Sequence, residues 1–95
     1  MDMDLSGKIA LVTGSSRGLG LASARALVAE GCQIGLCARG VDQLEVALEE
    51  VQSIANGRDA VTAIPADLST TEGVEAAVKQ TVNQFGGLDI LVNNV

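Results

Sequence analysis

Apolar residues come in four short, nearly unbroken runs along this chain: Ile9 to Val12, Gln33 to Ala38, Ala60 to Ile64 and Ile90 to Val92. Runs of that length without polar alternation describe strands covered on both faces, as in a parallel sheet. Between them the period changes to that of a helix. From about Asp42 to Ala55, Leu44, Ala47, Leu48 and Val51 share one stripe, with Glu45, Glu49 and Glu50 outside it. From about Thr70 to Phe85 the stripe is Val74, Val78, Val82 and Phe85, and Ser69 with Glu72 makes a capping box at its start. From about Leu19 to Ala29, Leu19, Ala22, Ala26 and Ala29 lie near one face, small enough for close packing on a sheet. Gly31, Gly57 and Gly86-Gly87 stand where these helices stop, and Pro65 ends the third strand, where a missing backbone donor matters least. The order β-α-β-α-β-α-β predicts an α/β fold, a doubly wound parallel sheet.

Composition narrows the possible roles. With 95 residues the chain is at most one small domain, and at 47% apolar it has the material for a packed core. Its net charge is −6 and Phe85 is its only aromatic residue. Without a basic stripe or a stacking platform, nucleic acid is not an expected partner. No run approaches the roughly 18 apolar residues of a membrane span, so no membrane partner is expected. The acidic start Met1-Asp2-Met3-Asp4 lacks the basic opening of a signal peptide, which makes a cytoplasmic location the expectation. Cys32 and Cys37, five residues apart on a strand, face opposite ways and cannot bond to each other. They read as small apolar fillers. With no His and only two Cys, no metal site is expected.

The chemistry sits in Thr13-Gly14-Ser15-Ser16-Arg17-Gly18-Leu19-Gly20, directly after the strand Lys8-Ile9-Ala10-Leu11-Val12. A strand that runs into a glycine turn opening a helix presents free amides and the positive end of a helix dipole to a pyrophosphate. Gly14 makes the turn, Gly18 admits the pyrophosphate, and Gly20 lets the helix pack on the strand. A P-loop is excluded because Leu21, not a Lys-Ser/Thr pair, follows the glycines. A methyltransferase turn would carry an acid where Thr13 stands.

The spacing Thr-Gly-x-x-x-Gly-x-Gly resembles the short-chain dehydrogenase/reductase family. So do Leu5-Ser6-Gly7-Lys8, Asp67-Leu68, and Leu88-Asp89-Ile90-Leu91-Val92-Asn93-Asn94, although Val95 stands where the family has Ala. The resemblance spans the whole chain. It implies a Rossmann-type sheet of order 3-2-1-4, with two helices on one face and the third on the other. It implies that Gly14, Ser16, Gly18 and Leu19 line the pyrophosphate and ribose, that Asp67 bonds the adenine amino group, that Leu68 offers its backbone beside the ring, and that Asn93 touches the adenosine ribose. Thr13 would tie the turn to the fourth strand.

The family's ribose-reading acid would fall at Ala38, and Arg39 follows it, with Arg17 in the glycine loop. Two guanidiniums and no carboxylate suit a 2′-phosphate, so NADP(H) is expected over NAD(H). The family's chemistry uses a Tyr, a Lys four residues after it and a Ser. The chain has no Tyr, and its only lysines are Lys8 and Lys79. No catalytic residue is assigned. The expectation is a single, incomplete domain, the N-terminal part of an NADP(H)-dependent oxidoreductase acting on a small-molecule carbonyl or alcohol. Alone, this part would be inactive. A non-catalytic dinucleotide module and a non-functional truncated product remain the alternatives. The fourth strand would leave an apolar open edge, so the isolated chain is expected to be marginally stable and to self-associate as a homo-oligomer. A monodisperse monomer with a cooperative, high-temperature melt would contradict that.

Overall fold

Residues of β1 (Ile9–Thr13) are buried along its whole length and alternate between two cores. The chain adds α1 (Gly18–Ala29), β2 (Gln33–Ala38), α2 (Val41–Ile54), β3 (Val61–Pro65), α3 (Thr71–Phe85) and β4 (Ile90–Val92). This computed structural model describes residues 5–55, 57 and 60–94. The readings made on Met1 to Asp4 and on Val95 lie outside the described residues. The four strands are parallel in the order β3-β2-β1-β4, as the resemblance implies. The chain moves outward from β1 through β2 to β3, then crosses back to place β4 on the other side of β1. That reversal opens a crevice at the carboxyl ends of the strands, where ligands bind in sheets of this kind.

The helices divide between the faces as expected. Ala10, Val12, Ile34 and Leu36 form one core with Ala24 and Val28 of α1 and Leu44, Ala47 and Val51 of α2. Leu11, Cys37 and Ile64 form the other with Ala77 of α3. Gly35, opposite Leu11 in the register, is what allows α3 to come close. A Cβ there would stand 3.0 Å from Thr81 Oγ1 and 3.3 Å from Leu11 Cδ1. The Thr81 hydroxyl is buried and donates to the Ala77 carbonyl at 2.8 Å. β4 is fastened to β1 at its entry, where the Ile9 N–H donates to Asp89 Oδ2 (2.9 Å) and the Asp89 N–H to the Ile9 carbonyl (2.8 Å). α3 stops at Gly86, which takes the left-handed conformation at φ +90°.

Several details depart from the sequence reading. The buried stripe of α1 is Gly20, Ala24 and Val28, while Leu19, Ala22, Ala26 and Ala29 are exposed. This helix is apolar on nearly every side, so periodicity alone does not select a face. The glycine turn sets the rotation instead. α3 buries Ala77 and Thr81 most deeply, leaves Val74, Val78 and Phe85 half-buried, and exposes Val82. Its N-cap is Thr70, whose hydroxyl accepts from the Gly73 N–H at 2.9 Å, so the Ser69–Glu72 box does not form. Ser69 is instead committed to Asp67. The third strand begins at Val61, one residue after the predicted Ala60.

The cysteines sit in opposite cores, Cys32 with α1 and α2 and Cys37 with α3. Burial pushes the Cys37 thiol up to about 11, and burial aided by Glu30 and Asp89 raises Cys32. Both are protonated at neutral pH and lack thiolate reactivity.

Candidate functional site

The turn after β1 is pinned from two sides. The Ser15 N–H donates to the Cys37 carbonyl at 3.1 Å, and the Cys37 N–H donates to Ser15 Oγ at 2.8 Å. This clips the turn to the end of β2. Sequence reading missed Ser15, whose only signal is a polar residue inside a glycine turn. Thr13 ties the turn to β4. Its hydroxyl accepts from the Asn94 N–H (2.9 Å) and lies within donating distance of the Val92 carbonyl (3.2 Å) and Asn93 Oδ1 (3.1 Å).

Glycines then set how closely the pieces meet. Gly14, at φ +61°, lies so near β4 that a Cβ would overlap the Asn94 carbonyl oxygen. A Cβ on Gly20 would overlap the Gly14 carbonyl oxygen, so α1 rests directly on the turn. Gly18 differs. At φ +63° nothing beyond its own neighbours and the backbone of α1 lies within 4 Å of where a Cβ would stand. The backbone there faces open space.

That space is part of a cleft of about 650 Å³. Gly14, Ser16, Arg17, Gly18 and Leu19 line it from the turn, and Ala38, Arg39 and Gly40 from the end of β2. Gln43, Leu68, Ser69 and Asn94 complete it. Leu19 is 77% exposed, an apolar side chain held out over the cleft. No side chain caps the N-terminus of α1 at Arg17 or that of α2 at Gly40. Both helix starts therefore offer first-turn amides and positive dipole ends without a side-chain acceptor of their own. The lining holds two arginines and no carboxylate, in a chain of net charge −6.

Three residues named from the sequence stand just outside the lining. Gly20 lies beneath the turn. Asn93 directs its amide oxygen to Thr13, and its neighbour Asn94 faces the cleft. Asp67 stands beside the opening, where its Oδ1 accepts from the Ser69 N–H and hydroxyl and lies 4.0 Å from Arg39 Nε. The Ser69 hydroxyl, then its N–H, and Arg39 hold the Asp67 carboxyl below its ordinary range. Gly73 matters here too, because a Cβ on it would overlap the Asp67 carbonyl oxygen. A glycine inside a helix costs about 0.5–1 kcal/mol, and that unfavourable placement is its signal in the sequence.

Chemically, the arrangement offers the first-turn amides of the glycine turn and the guanidiniums of Arg17 and Arg39, donors that suit an anionic ligand. The donor set fits a dinucleotide phosphate. Among the described residues, no His, Cys, Asp or Glu cluster is placed to hold a metal ion, and no helix is long and apolar enough to cross a membrane.

The family model "short chain dehydrogenase" matches residues 8–95. The chain is 44% identical to 3beta-hydroxysteroid dehydrogenase 1 of Eggerthella lenta over 91 residues, covering 96% of this chain and 34% of that protein. It is similar to L-sorbose reductase from Gluconobacter frateurii, solved in complex with NADPH and L-sorbose. That match has a TM-score of 0.91 and 46% identity, and it covers 100% of this chain and 35% of the other. The C-domain of bacterial malonyl-CoA reductase, solved with NADP, gives a TM-score of 0.89 at 34% identity over 95% of this chain and 15% of the other. The chain thus spans about a third of the length of relatives such as the steroid dehydrogenase and the sorbose reductase.

Proposed function

This chain belongs to the short-chain dehydrogenase family, and from that premise we propose that it is the dinucleotide-binding part of an NADP(H)-dependent oxidoreductase. The observation that carries the cofactor choice is the cleft itself, which presents Arg17 and Arg39 and no lining carboxylate where the strand β2 ends. The N-terminal amides of α1, with Gly14, Ser16, Gly18 and Leu19, would hold the pyrophosphate. Gly20 would keep the turn in place beneath it. Leu68 and Asp67 would take the adenine, Asn93 would act at the adenosine ribose, and Arg39 with Arg17 would take the 2′-phosphate. When bound, such a cofactor supplies or accepts a hydride. NADPH in the sorbose reductase complex and NADP in the malonyl-CoA reductase domain favour the same choice.

The whole protein would reduce a small-molecule carbonyl or oxidise the matching alcohol. No Tyr is available in this chain to protonate a carbonyl, so these 95 residues would bind cofactor without turnover. β4 pairs only with β1 among the described strands, and Leu91 on it is 52% exposed. An open apolar edge of this kind favours self-association.

Titration of the chain with NADPH and with NADH, followed by nicotinamide fluorescence, tests the proposal. Saturable binding with NADPH at least about tenfold tighter is expected from one charge-assisted bond. Equal affinities would refute the NADP(H) assignment, and binding of neither would refute the cofactor reading.

A further inference from the structure

Arg39 does not face the cleft alone. Its Nε lies 4.0 Å from Asp67 Oδ1, the oxygen that also accepts from the Ser69 N–H (3.0 Å) and hydroxyl (2.6 Å). The two side chains differ in freedom. The Thr70 hydroxyl donates to the Asp67 carbonyl at 3.2 Å, Gly73 seats the first turn of α3 against that same carbonyl, and Ser69 fixes the carboxylate. The Arg39 side chain is 77% exposed and that of Asp67 47%, so what holds Asp67 is its bonds to Ser69 rather than burial. A fixed anion therefore confronts a movable cation at the mouth of the cleft.

We propose that Asp67 is a specificity-determining residue whose carboxylate competes with the nucleotide 2′-phosphate for Arg39. The preference for the phosphorylated dinucleotide is thereby held below what Arg17 and Arg39 alone would give. This rests on the cofactor reading above. A 2′-phosphate brings close to two negative charges to Arg39 and must both displace Asp67 and sit near it. A 2′-hydroxyl meets neither penalty. Any bond from Asp67 to the adenine is common to both cofactors and cancels in their ratio. The charge on Asp67 does not cancel.

Asp67→Asn tests this, because the amide oxygen can still accept from Ser69. The ratio of NADPH to NADH affinity is expected to rise about three- to tenfold, whatever happens to the two affinities individually. In an Arg39→Gln background the same substitution should move the ratio less, because the competition is gone and only the direct repulsion remains, as a double-mutant cycle would show. Binding of both nucleotides with an unchanged or lower ratio overturns the proposal. A second readout needs no variant. The Asp67 carboxyl, followed by NMR in the unaltered chain, is expected to titrate higher with NADPH bound than with NADH bound. The phosphate would draw Arg39 away and add its own charge. Equal titration in the two complexes overturns the competition. If the unaltered chain binds neither nucleotide, the cofactor reading itself fails and this inference fails with it.

Discussion

Arg39→Asp is expected to reverse the nucleotide preference of this chain, with NADPH affinity falling about ten- to a hundredfold. Arg39 directly follows β2, beyond Ala38, whose backbone is held by its register with Pro65 and by the Ala66 N–H. The position is therefore fixed in space, while the side chain at 77% exposure is free to reach a ligand. A hydrogen bond to a charged group contributes about 1.5–3 kcal/mol, and the substituted acid adds repulsion of the phosphate. NADH brings no 2′-phosphate and is spared that repulsion, so its affinity holds. Folding should be untouched, since an exposed strand-end side chain carries little packing. Paired titrations with the two nucleotides measure the reversal, and an unchanged ratio would show that Arg39 does not read the ribose.

The second large effect separates glycines that look alike in the sequence. Gly14 and Gly18 both have positive φ, at +61° and +63°. An alanine at either pays about 1–2 kcal/mol for the left-handed backbone. At Gly14 the new Cβ also overlaps the Asn94 carbonyl oxygen, and at Gly20 it overlaps the Gly14 carbonyl oxygen. Both of those neighbours are backbone, which cannot swing aside. Gly14→Ala and Gly20→Ala are expected to lower stability by more than about 2 kcal/mol, or upward of roughly 8 °C in Tm for a domain this small. Gly18→Ala meets no protein atom beyond its own neighbours and the backbone of α1, and should fold with only the backbone strain, a loss of several degrees. Its Cβ would stand in the open space assigned to the pyrophosphate, so nucleotide affinity should fall at least about tenfold. Calorimetry and titration on the three variants separate the cases. A Gly18→Ala chain that binds as well as the parent would move the pyrophosphate elsewhere.

The contrast shows where the sequence was legible. Strand and helix order and the parallel sheet followed from apolar runs and their spacing, while the strand order and the division of helices between faces came from the family resemblance. Burial on both sides leaves little freedom in such a pattern. The stripe of α2 was readable because Glu45, Glu49 and Glu50 mark its outer side, and all three are exposed. α1 carries a single charged marker, Arg25, and its buried face is decided by contact of Gly20 with the turn, a tertiary fact. The cap of α3 was misplaced by one residue because Ser69 and Thr70 are both capable acceptors, and Asp67 takes Ser69. The glycine turn was legible as a motif, but its pinning was not. Ser15 reaches Cys37 across 22 positions and Thr13 reaches Asn94 across 81, contacts that no local spacing announces. The Arg39–Asp67 pair belongs with them, since only the neighbouring register of β2 and β3 brings it together.

A turn from Thr13 to Gly20 that holds a dinucleotide should show it in its own backbone amides. Amide NMR spectra of the labelled chain, recorded with and without NADPH, test it most directly. The largest shifts should fall on Gly14, Ser16, Arg17, Gly18 and Leu19, with smaller ones on Arg39, Leu68, Ser69 and Asn94. NADH should reproduce the turn shifts and leave Arg39 less perturbed. A spectrum that does not respond to NADPH, or that responds only outside these residues, would contradict the claim.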